Sequence, residues 1–256
     1  MPNEFLLLEG SFKDNLLCGV NCKIYYENRV VKYIGGFKAG LAFGEGKWYY
    51  DNSILKYKGE FKLGGPHGNL CYLYNPDGNL EYIGSMRNGV KDGFGTAYDE
   101  NSNKVYQGEY KADFYSGEQC IQYHTNGNVS YFGEIKYGKK NGEGRCFHEN
   151  GILKYEGKFK EDEIDGSTCI LYHENGKKMC IGAVRHGKIH GKSEAFDLEG
   201  KRCFEGDFSE GEPNGLGIEF YPSGKIAFIG TYRQGKKQGN GKEFYENGAK
   251  KYEGEF

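Results

Sequence analysis

Short runs in which apolar or small residues alternate with charged ones recur along the chain. In YEGKF, Tyr155, Gly157 and Phe159 fall on one face and Glu156 and Lys158 on the other, the two-residue period of a strand with one buried face. No long segment shows the helical apolar period. The runs return at a fixed distance: YKGEFKLGGPHG at Tyr57, YQGEYKADFYSG at Tyr106 and YEGKFKEDEIDG at Tyr155 stand 49 residues apart. Aligned on the opening residue, units begin at Leu8, Tyr33, Tyr57, Tyr82, Tyr106, Tyr131, Tyr155, Cys180, Phe204, Phe228 and Tyr252, at spacings of 24 or 25 residues. This divides the chain into a lead, 1–7, and a tandem array, 8–256, of ten full units and a C-terminal half unit, YEGEF. A period of this size marks a small supersecondary unit that buries its apolar face against its neighbours.

Glycine stands two residues after every opening residue and again eleven residues after it in every full unit. The seventh position after it holds Gly, Asn or Asp, the residues that tolerate positive φ, which predicts a left-handed turn there. A second turn is predicted at Asn-Gly and its variants, among them Asp77-Gly78, Asn126-Gly127 and Asn150-Gly151. Each unit is thus two short strands and two turns, and the whole array predicts 18–21 strands paired in sequence order. Glycine on the aromatic face opens a gap in which the ring of a neighbouring strand can lie. The longer units carry their extra residue in the second strand, as in GNLCYLY against GEGKWY, so a β-bulge is expected in them. The predicted fold is all-β: an elongated, twisted, single-layer antiparallel sheet of tandem β-hairpins.

Composition agrees. Aromatic residues make up 16% of the chain, with 42 Gly and only five Pro, which excludes a disordered or collagen-like chain. The net charge of −2, with both signs interspersed, argues against nucleic acid and against strong attraction to an anionic membrane. The opening MPNEFLLLEG has no Lys or Arg before its short apolar run, unlike a signal peptide. No apolar stretch approaches membrane-spanning length.

Two columns of chemically active side chains invite a metal or catalytic reading. Cys22, Cys71, Cys120 and Cys169 repeat every 49 residues, which in a hairpin ladder is four strands, roughly 19 Å. That is too far for a disulfide or a shared metal, so small apolar residues of a reduced cytoplasmic protein are expected. His124, His148 and His173 each precede an Asn-Gly turn and read as solvated turn residues about 10 Å apart. Fragments such as GEGRCF complete no phosphate-binding loop. No catalytic, metal or cofactor site is expected.

The unit Tyr-x-Gly-x-Phe, a glycine-containing turn, Gly-x-Gly with an aromatic, and then Asn-Gly resembles the MORN repeat over residues 8–256. The spelling with YENG is similar to MORN proteins of ciliates and other protists. The resemblance implies a ribbon of consecutive hairpins and a scaffold without enzymatic activity, binding other proteins of a large cytoskeletal complex. A ciliary axoneme, at a radial spoke or a similar structure, is the setting taken here. Alternatives from other classes are a phosphoinositide-associated membrane adaptor, for which turns such as YGKKNG and QGKKQG offer local basic charge, and an antitoxin-like bacterial repeat protein. Cys180 in place of the opening aromatic, and Met86, Ile135 and Val184 in place of the aromatic four residues on, depart from the pattern, and looser packing is expected there. Tyr33, Tyr57, Tyr82, Tyr106, Tyr131 and Tyr155 form a row suited to contact with a partner. Tyr252 and Phe256 sit on an edge able to accept a strand, from another protein or from a second copy.

Overall fold

The structure is a computed structural model and describes residues 7–256. Apart from Leu7, the lead therefore lies outside the described residues. Among the described residues there are twenty-three strands, paired antiparallel, and no residue is helical. The described residues divide into two compact units, 7–127 with 136–138, and 128–135 with 139–256.

In the first unit each strand pairs with the next along the chain, from Leu8–Lys13 with Leu16–Tyr25 to Lys104–Lys111 with Gly117–Tyr123. The second unit repeats the scheme from Lys139–Phe147 to Lys250–Glu255. Two additional short strands, Phe114–Tyr115 and Glu163–Ile164, carry the count beyond the expected 18–21. They arise where surplus residues of the longer units interrupt one strand: Tyr115 pairs with Tyr110, and the ladder resumes only at Ile121 with Gln107.

The two turns of each unit are built differently. The first is a two-residue turn with positive φ at both positions, as at Ala39 and Gly40 (50° and 77°) between the pair Lys38 and Leu41. This is the type I′ geometry whose twist matches that of the strands it joins. The seventh position is left-handed as expected, and the sixth is too, at Leu63, Tyr137 and His186 among others. The Asn-Gly turns instead have three-residue loops with one left-handed residue at the end, Ser53 or Gly151 for instance. The register slips by one there: Trp48 faces Tyr57, but Tyr49 faces Leu55, the bulge that such loops produce. The bulges expected in the longer units are present. Gly68 faces Met86 and Cys71 faces Gly84, three positions against two, whereas Gly44, Glu45 and Gly46 face Phe61, Glu60 and Gly59 without a slip.

Tyrosine rings laid on glycine form the core. A Cβ on Gly46 would come within 2.5 Å of the Tyr33 hydroxyl and 2.9 Å of its ring. Gly35, directly across from Gly46, lies beneath the same ring. The glycine two residues after the opening residue therefore lies under the tyrosine of its own strand and not under a neighbouring strand's ring as expected; it is Gly46, across from it, that receives a ring from another strand. In the longer units Cys71 replaces the second glycine opposite the next unit's Gly84, and its Sγ lies 3.1 Å from the Tyr57 hydroxyl. The Tyr106–Cys120 pair repeats this at 3.0 Å. Gly46→Val is therefore expected to displace the Tyr33 ring and lower stability by about 1–3 kcal/mol, read as a fall in the urea midpoint. An unchanged midpoint would show that the ring does not need this bed.

Candidate protein-binding faces

The structure places the row of six tyrosines inside the sheet. Tyr33 is 3% exposed, and Tyr57, Tyr82, Tyr106, Tyr131 and Tyr155 are fully buried. Their hydroxyls donate to the carbonyl three residues on, at Gly36, Glu60, Ser85, Glu109, Glu134 and Lys158, over 2.6 to 3.1 Å. Their rings meet the next aromatic edge-on. Tyr33 and Tyr57 both contact Phe61, at 4.9 and 5.0 Å, and Tyr131 and Tyr155 both contact Phe159 at 5.2 Å. Such contacts add to simple burial. Burial pushes the phenols of Tyr33, Tyr57, Tyr82, Tyr106 and Tyr155 far above their usual pKa. These rings form a structural spine, and a partner does not reach them in this conformation.

The residue nine positions after the opening one closes several of these rings from above, a role that no sequence column revealed. Lys91 lies 5.0 Å over Tyr82, Lys140 5.0 Å over Tyr131, and Lys237 4.3 Å over Phe228. Tyr115 stacks on Tyr106 at 3.8 Å. Cation–π contact and stacking do the same job with unrelated residue types, so the position carries no common chemistry to notice.

The departures from the repeat pack more closely than expected. Met86, Ile135 and Val184 are 2%, 0% and 3% exposed. At Cys180, which brings no ring, Ser193 replaces the second glycine and is itself buried against Gly182. The larger residue on one strand fills the space left by the smaller one on the other, so the core stays closed.

Tyr252 and Phe256 are the exposed members of the candidate set, at 45% and 37%. Their rings meet at 5.1 Å, and Phe256 also packs on Phe228 at 4.9 Å. The Tyr252 hydroxyl donates to the Glu255 carbonyl, so these residues continue the spine to its last strand.

The histidine column belongs to a ladder between turns and is less solvated than expected. His148 Nε2 lies 3.0 Å from the Tyr172 carbonyl and His173 Nε2 3.0 Å from that of Phe196. Tyr26, Tyr50 and Tyr221 donate to the corresponding carbonyls of Tyr49, Tyr74 and Phe244. His124 stands before the same kind of turn. All eight cysteines are free thiols, and burial pushes Cys180 up to about 11. Among the described residues no three His, Cys, Asp or Glu side chains are grouped as metal ligands.

What remains open is the opposite face. Phe43 and Phe94 in the first unit are 48% and 55% exposed, and Leu216 in the second is 69% exposed. Phe94 stands between Gly93 and Gly95, whose cross-strand partners Tyr110 and Gly108 mark the spine side; Phe94 therefore points away from the spine.

The repeat seen in the geometry is also recognised as a family. The MORN repeat model matches residues 33–53, 82–104, 204–226 and 228–250, each starting on an opening residue. The MORN repeat variant matches 44–63 and 140–161. A search of curated proteins returns no significant match. Hairpin units that open on a buried aromatic, and four family matches that begin on those opening residues, lead to one conclusion: the chain carries multiple MORN repeats.

Proposed function

We propose that the chain is a scaffold without enzymatic activity, holding other proteins of a large cytoskeletal assembly, and that this assembly is a ciliary axoneme, at a radial spoke or a similar structure. MORN repeats are consistent with a protein-interaction scaffold. The observation that carries the reading is the division of labour between the faces. In each unit one face spends its aromatic residues on the spine, while the other leaves Phe43 and Phe94 uncovered in the first unit and Leu216 in the second. Single exposed apolar residues are ordinary; several on one face of a repeat sheet suit contact with a partner. The axonemal setting rests on the likeness to protist MORN proteins described above.

Affinity purification of the tagged chain from its native cell, with proteomics of what co-purifies, tests this. Axonemal proteins retained through salt washes are the expected result. Partners confined to the cell cortex would remove the axonemal setting but keep the scaffold. Flotation with anionic vesicles, together with absence of protein partners, would replace the scaffold with the membrane adaptor.

A further inference from the structure

In the second unit a depression on the face opposite the spine encloses about 630 Å³. It crosses six consecutive strands, from Gly166–Tyr172 to Ile226–Arg233, a span of about 24 Å at the usual strand spacing. Cross-strand pairing lines up its floor: Ile181 faces Glu194, Glu194 faces Glu205, Glu205 faces Ile218, and Ile218 faces Ile229. This row over the last five strands is apolar at both ends and doubly acidic in the middle, and beyond Ile181 the outermost strand lines the depression with Ser167 and Thr168. Leu216 rises beside the apolar end, and Asp207 lies beside the acids.

Like charges directly opposite each other on a sheet repel. Glu194 and Glu205 share one guanidinium, Arg202, at 3.7 and 2.8 Å, which also stacks on Phe220 at 4.3 Å. Asp207 faces Lys192 across the strands, but no ion pair joins it to a described residue. Carboxylate therefore exceeds cation between two apolar ends. An anionic headgroup or a nucleic-acid backbone would be repelled by this lining.

We propose that this depression receives an amphipathic helix of a partner protein, with apolar side chains at both ends of one face and an arginine or lysine between them. The inference rests on the scaffold reading and adds the chemistry of one partner. A helix is required because a segment lying across the strands cannot join their hydrogen-bond ladder and must satisfy its own backbone. About 16 helical residues span the depression. The central cation meets Glu205 and Asp207, and the ends bury Ile181 on one side and Leu216, Ile218 and Ile229 on the other.

The test uses the full chain and a fluorescent helix-forming peptide of about 16 residues with leucines at both ends of one face and arginines at its centre. A second peptide carries glutamates in place of the arginines. Saturable binding of the arginine peptide, at least about tenfold tighter than the glutamate peptide, is expected. Leu216→Asp should abolish binding, and Asp207→Lys should narrow the difference between the peptides. Leu216 is exposed, so circular dichroism of its variant should match that of the unchanged chain. Equal binding of the two peptides, no saturation with the arginine peptide, or indifference to Leu216→Asp would overturn the proposal. Native purification with Leu216→Asp separates the two levels. Protein partners recovered equally by both chains would refute the groove and leave the scaffold standing; no protein partner with either chain would refute both.

Discussion

Replacing Tyr57 by alanine is expected to remove about 3–5 kcal/mol of stability, the usual loss when a fully buried aromatic is cut back to a methyl group. The ring is 0% exposed, contacts Phe61 edge-on at 5.0 Å and lies over Gly59, while its hydroxyl donates to the Glu60 carbonyl at 2.6 Å. Glycine cannot refill the space, because it has no side chain to move. Tyr57→Phe separates the contributions: it keeps the ring and loses only the hydroxyl, at a cost of about 1–3 kcal/mol for a buried carbonyl left without its donor. Urea unfolding followed by circular dichroism should rank the unchanged chain above Tyr57→Phe and Tyr57→Ala lowest. If Tyr57→Ala kept its midpoint but lost partner recovery, the row of tyrosines would be a contact surface after all.

Alkaline pH should unfold the sheet cooperatively. The phenols of Tyr33, Tyr57, Tyr82, Tyr106, Tyr110, Tyr155 and Tyr232 are all raised, in each case chiefly by burial. A phenol raised in the folded state contributes stability that is fully present below the unfolded value of about 10 and is lost as pH rises above it. Each pH unit beyond that point favours the unfolded chain by up to about 1.4 kcal/mol per buried tyrosine. Several acting together reach the order of 10 kcal/mol, comparable with the whole stability of an ordinary domain. Phenolate absorbance and loss of the strand signal should therefore rise in one step. Gradual ionisation near the ordinary value with the sheet intact would show that these rings are open to water.

The pairing plan was readable because its signals are local. Gly35, Gly59 and Gly84 recur at one position, Asn and Gly mark the turns, and the extra residue in GNLCYLY announces its bulge. The left-handed sixth position was not readable: Leu63, Tyr137 and His186 have no residue type that favours it. The two-residue hairpin imposes it once both strands are paired. Nor could the sequence say whose ring covers which glycine. Alternation assigns Tyr33 to a face, but its reach over both Gly35 and Gly46 depends on side-chain direction and cross-strand register. The row from Ile181 to Ile229 was hidden for a related reason. Its members lie in strands separated by turns of different length, and only the slips at each bulge bring them into line.

Sequential pairing through two- and three-residue loops also has a kinetic meaning. Each hairpin closes between residues that are near neighbours along the chain, so ordering one more strand requires only a small loop to close. Folding of such a topology is governed by local contacts, and low contact order makes it fast for a β protein. The same geometry makes opening piecemeal. A hairpin can come apart and close again while its neighbours keep their own pairs, as in other repeat architectures. Under native conditions, well below the alkaline transition, amide exchange would then vary from turn to turn along the chain, with each repeat reporting its own local opening.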